Sequence, residues 1–299
     1  VKAKRFFRGT GTALVTPFRK DGRLDEGSLR KLVRFQLKGG VEALVPCGTT
    51  GESPTLSHDE QRRVVEIVLE EAHGRAKVFA GAGGNNTQEA IEKAKAAKQL
   101  GVNAVLSVAP YYNKPTQEGV YQHFHAIADK ADVDIIVYNI PSRTGSNIEP
   151  GTLLRMAEEI PHIVGVKEAS GNIGQMMEIA HHRPFHFSLL SGDDVFTLPL
   201  IALGGDGVIS TTANQVPKLL SGMTRAGLKG DWNKARDLHY RLLHLMNANF
   251  VETNPIPVKA GLAMMGMIQE VYRLPMVPIS EKAREKLRKA MKELKLITR

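Results

Sequence analysis

Lys167 closes the apolar run Ile163-Val164-Gly165-Val166, an order of residue types that places one amine at the carboxyl end of a strand reading as buried on both faces. Taking an ammonium out of water is costly. The usual relief is a pKa lowered by up to ~3–5 units, which leaves a neutral amine able to attack a carbonyl carbon. The chemistry on offer is a Schiff base, and the structural alternative is an ion pair with Glu168 or another nearby carboxylate. Other unusual polar residues also follow apolar runs. Gly48-Thr49-Thr50-Gly51-Glu52-Ser53 offers backbone N–H groups and two hydroxyls to an anion such as a carboxylate, or is an ordinary Ser/Thr turn. Pro110-Tyr111-Tyr112-Asn113 and Tyr138-Asn139-Ile140-Pro141-Ser142-Arg143-Thr144-Gly145 supply tyrosines, which in isolation more often edge a core, and an arginine. Its planar fork is shaped to grip a carboxylate through two parallel hydrogen bonds. Together these parts describe imine formation between a lysine and a 2-oxo acid, the acid held by the threonine turn and protons moved by tyrosine.

Such residues need a scaffold that brings strand ends together. Short apolar runs occur at Thr12–Val15, Ala43–Val45, Val78–Ala80, Ala104–Val108, Ile135–Tyr138, Ile163–Val166, Phe185–Leu190 and Gly207–Ile209. Segments of helical period separate them, such as Ser28–Leu37, Asp59–Ala72, Gln88–Leu100, Glu118–Ala128 and Thr152–Ile160. This alternation predicts an α/β chain folded as a (β/α)8 TIM barrel, with a doubly wound sheet as the rival, and a barrel carries its chemistry at the carboxyl ends of its strands. Beyond about Asn214 the strands stop, and helical stretches follow near 214–229, 231–248, 256–269 and 281–296. The expected organisation is a catalytic barrel over 1–230 and a C-terminal helical extension over 231–299.

Composition excludes several classes. A hydrophobic share of 42% with 24% charged residues is that of an ordinary globular protein, and no apolar stretch reaches the ~18–20 residues that span a bilayer. Val1-Lys2-Ala3-Lys4-Arg5-Phe6-Phe7 is basic but is not followed by the apolar region of a secretory signal, so a cytoplasmic, non-membrane protein is expected. The net charge of +9 raises nucleic-acid binding, yet the cations are spread out, and the dense run over 281–289 mixes signs on a helix whose apolar stripe is Ala283, Leu287 and Met291. No nucleic-acid partner is expected. The single cysteine, Cys47, reads as a small buried residue, and neither it nor the ten histidines, His123 and His125 included, show metal-ligand or triad spacing. Gly81-Ala82-Gly83-Gly84 and Gly204-Gly205-Asp206-Gly207 lack dinucleotide or Walker spacing and read as tight turns.

The motifs quoted above, with Gly165-Val166-Lys167-Glu168-Ala169, Leu190-Ser191-Gly192-Asp193-Asp194, Gly207-Val208-Ile209-Ser210 and Phe250 through Lys259, resemble the dihydrodipicolinate synthase family of pyruvate-dependent class I aldolases. The resemblance spans nearly the whole chain. It implies condensation of pyruvate with aspartate semialdehyde, with no metal or organic cofactor beyond the covalent imine. It implies that Lys167 carries the imine, that Thr49 links Tyr138 to Tyr112 in a proton relay, and that Thr49 and Thr50 hold the pyruvate carboxylate. Arg143 would bind the semialdehyde carboxylate, and the Ile209 carbonyl would lie near the substrate. Tyr112 would reach into a neighbouring subunit's site, implying a homo-oligomer, commonly a tetramer built as a dimer of dimers. Feedback by lysine would use Ser53, His58, Asn85, Glu89 and Tyr111, weakened because Pro54 stands where alanine is usual and Gln61 replaces a histidine. The rivals are N-acetylneuraminate lyase, 2-keto-3-deoxy-gluconate aldolase and 4-hydroxy-2-oxoglutarate aldolase, against which the Pro-Ser-Arg-Thr-Gly run and Thr49 count. A non-catalytic barrel would be expected to have lost Lys167 or Tyr138.

Overall fold

A computed structural model describes residues 4–298; of the basic N-terminal segment, Val1, Lys2 and Ala3 lie outside the described residues. Eight parallel strands, β1 (Gly9–Ala13), β2 (Ala43–Val45), β3 (Lys77–Gly81), β4 (Ala104–Val108), β5 (Ile135–Asn139), β6 (Ile163–Glu168), β7 (Ser188–Ser191) and β8 (Gly207–Ser210), close into a barrel in sequence order. Between the strands run α1 (Glu26–Gly39), α2 (His58–Ala72), α3 (Thr87–Gln99), α4 (Gln117–Ala131), the short α5 (Pro141–Thr144), α6 (Pro150–Glu159), α7 (Ile173–His182) and α8 (Thr197–Ala202). Past β8 come α9 (Pro217–Leu228), α10 (Trp232–Ala248), α11 (Ile256–Met264) and α12 (Glu281–Glu293). The barrel expectation holds and the doubly wound alternative does not. Of the helices between strands, α5, α7 and α8 are additions to the segments named from periodicity.

By compactness the chain divides into residues 1–9 with 79–209, and residues 10–78 with 210–299. In the first unit the β4, β5, β6 and β7 ladders are flanked by α3, α4, α6 and α7, each helix packed on the next of that set. In the second, α1 packs on α2 and α9, α9 on α10, and α12 on α10 and α11. The C-terminal helices thus belong to the same unit as β2 and α2. On α12 the apolar stripe Ala283, Leu287 and Met291 is buried as its spacing predicts, under an N-cap from Ser280.

The strand boundaries that depart most from the sequence reading are those of β1 and β7. β1 starts at Gly9 and ends at Ala13 because its polar residues are inside: Thr12 Oγ1 bonds Gln36 Oε1 at 2.9 Å, and the Thr10 N–H bonds Glu42 Oε2 at 2.8 Å. A period count that looks for apolar residues passes over buried threonines of this kind. β7 starts at Ser188, since the Pro184–Phe187 segment turns on itself, the Phe187 N–H donating to the Pro184 carbonyl at 3.1 Å, and serves as a dock for Arg5. The Arg5 guanidinium stacks 4.8 Å from the Phe185 ring centroid and bonds the Pro184 carbonyl at 2.9 Å. α11 ends at Met264, short of the expected 269, and Gly266 takes φ 70° just after it.

Candidate active site

Tyr138 and Lys167 are register partners on the neighbouring strands β5 and β6, and Asn139 and Glu168 are the next pair. Successive side chains on a strand point to opposite faces, so the two pairs are segregated. Glu168 points toward α7: its Oε2 accepts from Gln175 Nε2 at 3.1 Å and Asn139 Nδ2 at 3.0 Å, and its Oε1 accepts from the Ser170 N–H at 2.7 Å. Lys167 and Tyr138 therefore face the barrel interior. An ion pair of Lys167 with Glu168 is absent, because three neutral donors satisfy the carboxylate on the other side of the sheet.

The Lys167 ammonium nitrogen lies 4.1 Å from the Tyr138 ring centroid, and the side chain is 6% exposed. Among the described residues no carboxylate lies within ion-pair distance of it. Burial pushes the amine down to about 8, partly opposed by the charge of Asp194, reinforced by Arg143 and opposed again by Asp193. An amine at that value is neutral in roughly one molecule in ten at pH 7, so a nucleophilic fraction is always present. Burial also raises the Tyr138 phenol, which stays protonated and able to donate. Asp193 is itself pushed above the usual carboxylate range, by burial first and by Asp194 second.

Gly192 makes room for the lysine. A Cβ there would sit 3.0 Å from Lys167 Cγ, 3.1 Å from its Cε and 2.7 Å from Ala169 Cβ, so the aliphatic stem of Lys167 lies directly on bare backbone. Arg143 is presented by α5, which Pro141 opens and Gly145, at φ 71°, closes; Thr144 Oγ1 braces the turn on the Ile140 and Ser146 carbonyls at 3.1 and 2.7 Å. Its charge reaches both Tyr138 and Lys167. Ile209, on β8, is buried. Tyr112 stands apart. Its side chain is 88% exposed and its φ of 72° is one that an aromatic residue rarely adopts.

The threonine turn belongs to the second unit. Gly48 O accepts the N–H groups of Gly51 at 3.0 Å and Ser53 at 3.3 Å, and Thr49 O accepts that of Glu52 at 3.1 Å. Thr49 is half-buried. Thr50 is buried, accepts from Asn254 Nδ2 at 2.9 Å and has Thr211 Oγ1 at 3.4 Å. The Asn254 donor occupies a lone pair of Oγ1 and leaves the hydroxyl proton to donate. A turn of this kind can hold an anionic oxygen.

Three features of the two units had no signal in local pattern. Glu52 and Lys259 form a buried ion pair across 207 residues of sequence. Asp193 and Asp194 act on the Lys167 charge from the loop after β7. Asn254, in a segment read only as a helix breaker and part of a motif, fixes the Thr50 hydroxyl. His123 is buried, bonded to Thr87 Oγ1 at 2.9 Å and pushed down to about 4 by burial, while His125 stacks on Tyr121. Cys47 is buried and its thiol pushed up to about 12. Among the described residues no cluster of His, Cys, Asp and Glu could hold a metal ion, and no helix is long and apolar enough to cross a membrane. Gly83 owes its place to crowding, since a Cβ there would lie 2.4 Å from the Val108 nitrogen.

The sequence and its barrel fold are similar to those of known proteins. Residues 6–294 match the Dihydrodipicolinate synthetase family. The 4-hydroxy-tetrahydrodipicolinate synthase of Koribacter versatilis (strain Ellin345) is 56% identical over 287 residues, which cover 96% of this chain and 95% of the relative. The crystal structure of dihydrodipicolinate synthase from Thermotoga maritima is similar with a TM-score of 0.96 and 47% identity, over 98% of this chain and 100% of that one. The dihydrodipicolinate synthase of Acinetobacter baumannii, crystallised with pyruvate, gives 0.95 and 44% over 97% and 100% of the two chains. Agreement of sequence and fold along nearly the full length of both partners means that the chain belongs to the dihydrodipicolinate synthetase family.

Proposed function

We propose that this chain condenses pyruvate with L-aspartate 4-semialdehyde through an imine on Lys167, giving 4-hydroxy-tetrahydrodipicolinate, the cyclic precursor of diaminopimelate and lysine. The observation that carries the reading is the buried Lys167 amine against the Tyr138 ring, with no carboxylate of the described residues within ion-pair distance. The neutral amine adds to C2 of pyruvate, and loss of water from the carbinolamine leaves the imine. Loss of a proton from C3 then gives an enamine, whose C3 bonds to the aldehyde carbon of the second substrate. The substrate's own amino nitrogen finally adds to C2 and displaces Lys167, closing the ring and freeing the enzyme. Tyr138 donates and recovers the protons these steps move, with Thr49 and Tyr112 as the further members of the relay. Thr50 and Thr49 take the pyruvate carboxylate, and the Ile209 carbonyl borders the substrate. The imine is the only cofactor the scheme needs. A cytoplasmic homotetramer fits this reading. The related aldolases acting on N-acetylneuraminate, 2-keto-3-deoxy-gluconate or 4-hydroxy-2-oxoglutarate share the lysine chemistry and are excluded if these substrates turn over more slowly than pyruvate plus semialdehyde.

Arg143 is assigned to the carboxylate of the semialdehyde, so Arg143→Ala is expected to cut condensation with that substrate by ~10–150-fold, the worth of one charge-assisted hydrogen bond. Borohydride trapping of the pyruvate imine should fall far less. Equal damage to both half-reactions would remove Arg143 from the second substrate. Tyr112, exposed and conformationally strained in one chain, is assigned to the site of a second copy. Inactive Tyr112→Phe and Lys167→Ala chains, mixed until mass spectrometry shows exchange, should regain part of the activity, because a hybrid dimer retains one site with both groups intact. Exchange without recovery would confine Tyr112 to its own subunit or remove it from catalysis.

Feedback by lysine is assigned to Ser53, His58, Asn85, Glu89 and Tyr111. Gln61, in the place of the family's histidine, spends its side-chain amide on the Ser53 carbonyl at 3.0 Å and the Ser53 hydroxyl at 3.4 Å. Partial inhibition by L-lysine is therefore expected in initial rates at saturating substrates. Near-complete inhibition with tight calorimetric binding would contradict the reading of Gln61, and no detectable heat at millimolar lysine would contradict the site.

A further inference from the structure

The threonine turn is anchored from behind by a buried charge pair. Glu52, directly after Thr49-Thr50-Gly51, takes a left-handed backbone conformation, φ 53° and ψ 37°, that costs a residue with a side chain free energy unless its surroundings hold it there. Its carboxylate is 1% exposed and is bonded by Lys259 Nζ and, on the other oxygen, by the Arg273 N–H at 3.2 Å. Lys259 is fully buried on α11, its ammonium 4.4 Å from the Phe18 ring and 5.2 Å from that of Tyr272. The same helix begins two residues after Asn254, which donates to the Thr50 hydroxyl at 2.9 Å. Two bonds thus tie the turn to one C-terminal helix, the first at Thr50 and the second at Glu52. Arg273 completes the clamp by bonding the Thr55 carbonyl at 2.8 Å and Glu60 at 2.7 Å.

A buried ion pair is a poor device for stability, since an apolar pair of similar volume commonly serves as well; its better attested use is to specify one geometry. Among the described residues the pair's other hydrogen bond is the one that Glu52 accepts from the Arg273 N–H. Glu52 is too deeply engaged to reach a ligand, and its bonds fix one of the two left-handed residues, Cys47 at φ 56° and Glu52 at φ 53°, that flank the threonine turn. We infer that Glu52 and Lys259 are positioning residues for substrate binding: their buried pair holds the Thr49–Thr50 turn in the conformation that receives the carboxylate of the 2-oxo acid. This rests on the proposed assignment of that turn to pyruvate. It also gives the C-terminal helices a part in catalysis, through α11, that an appended helical extension would lack.

The test uses steady-state rates with pyruvate and aspartate semialdehyde together with thermal unfolding. Lys259→Met should lower the unfolding midpoint and raise the KM for pyruvate by about tenfold or more, with kcat at saturating pyruvate changed by less than about threefold. Glu52→Gln, which keeps the shape, should move KM in the same direction. The double variant Glu52→Met with Lys259→Met removes both buried charges, and should regain thermal stability while the KM stays raised. Recovery of stability and KM together would show a merely structural pair and overturn the inference. So would an unchanged pyruvate KM in Lys259→Met and Glu52→Gln, a comparison that stands even if the double variant does not fold. Thr50→Val separates this from the underlying assignment: if it leaves the pyruvate KM unaltered, the turn is not the carboxylate site, whereas a raised KM there with no effect at Lys259 sinks the positioning role alone.

Discussion

Lys167→Ala is expected to abolish trapping of pyruvate and to lower kcat/KM for the condensation by ~10⁴–10⁶-fold, the scale on which removing a covalent nucleophile leaves only binding and neighbouring groups at work. The fold should survive. Among the described residues Lys167 has no hydrogen-bond or ion-pair partner, and its amine is a buried charge that folding must tolerate. Removing it relieves that burden at neutral pH. The sign follows from linkage: an amine lowered to about 8 in the folded chain disfavours folding below that value, and the penalty fades as pH rises through the window from 8 toward the unfolded value of 10.5. The same value sets a pH profile in the unmutated enzyme. The rate of imine formation should climb about tenfold per pH unit on the acid side and level off above about 8, because only the neutral amine attacks. A lysine of ordinary basicity would still be climbing at pH 9. Stopped reactions quenched with borohydride across pH 6–9 give the profile directly.

Tyr138→Phe is expected to lose ~10²–10⁴-fold in kcat, the usual worth of a positioned proton donor, while the ring that packs beside Lys167 is retained. The phenol is buried and held protonated, which suits it to donate to the hydroxyl that leaves the carbinolamine and to hand protons on along the relay. Its register pairing with Lys167 fixes that proximity through the β5–β6 ladder itself, with no loop to move. The check is kcat at saturating pyruvate and semialdehyde alongside an unchanged melting curve. A loss smaller than about tenfold would place the proton transfer on another group, with Asp193, raised above the ordinary carboxylate range near Lys167, as the residue to replace next.

The barrel and the lysine half of the site were legible because their signals are local. β6 is an apolar run with one amine, and five residue pairs along β5 and β6 bring Tyr138 beside it once the strands are taken as neighbours. Helices were legible for the same reason: the Ser57–Glu60 capping box opens α2, and apolar periodicity carries it to Ala72. Less legible were elements whose meaning depends on distant chain. Thr10 falls outside the apolar run that opens the barrel and is core nonetheless, its N–H bonded to Glu42 Oε2, while the buried Thr12 hydroxyl bonds Gln36 Oε1. Phe185 and Phe187 look like one strand, but the first is exposed under Arg5 and the second starts a different environment one residue before β7. Glu52 and Lys259 each look like solvated charges until the fold sets them against each other in a pocket closed by Phe18. Glu168 is the instructive case on the strand itself. Adjacency in sequence suggested a partner for Lys167, and the period-2 alternation of β6 sends it to the opposite face.

The central claim is that Lys167 is the covalent centre, and mass spectrometry after incubation with pyruvate and borohydride tests it most directly. One reduced pyruvate adduct per chain, located on the peptide that carries Lys167 and missing from Lys167→Ala, is the predicted result. An unmodified Lys167 under conditions that inactivate a known pyruvate aldolase, or an adduct on another lysine, would contradict it.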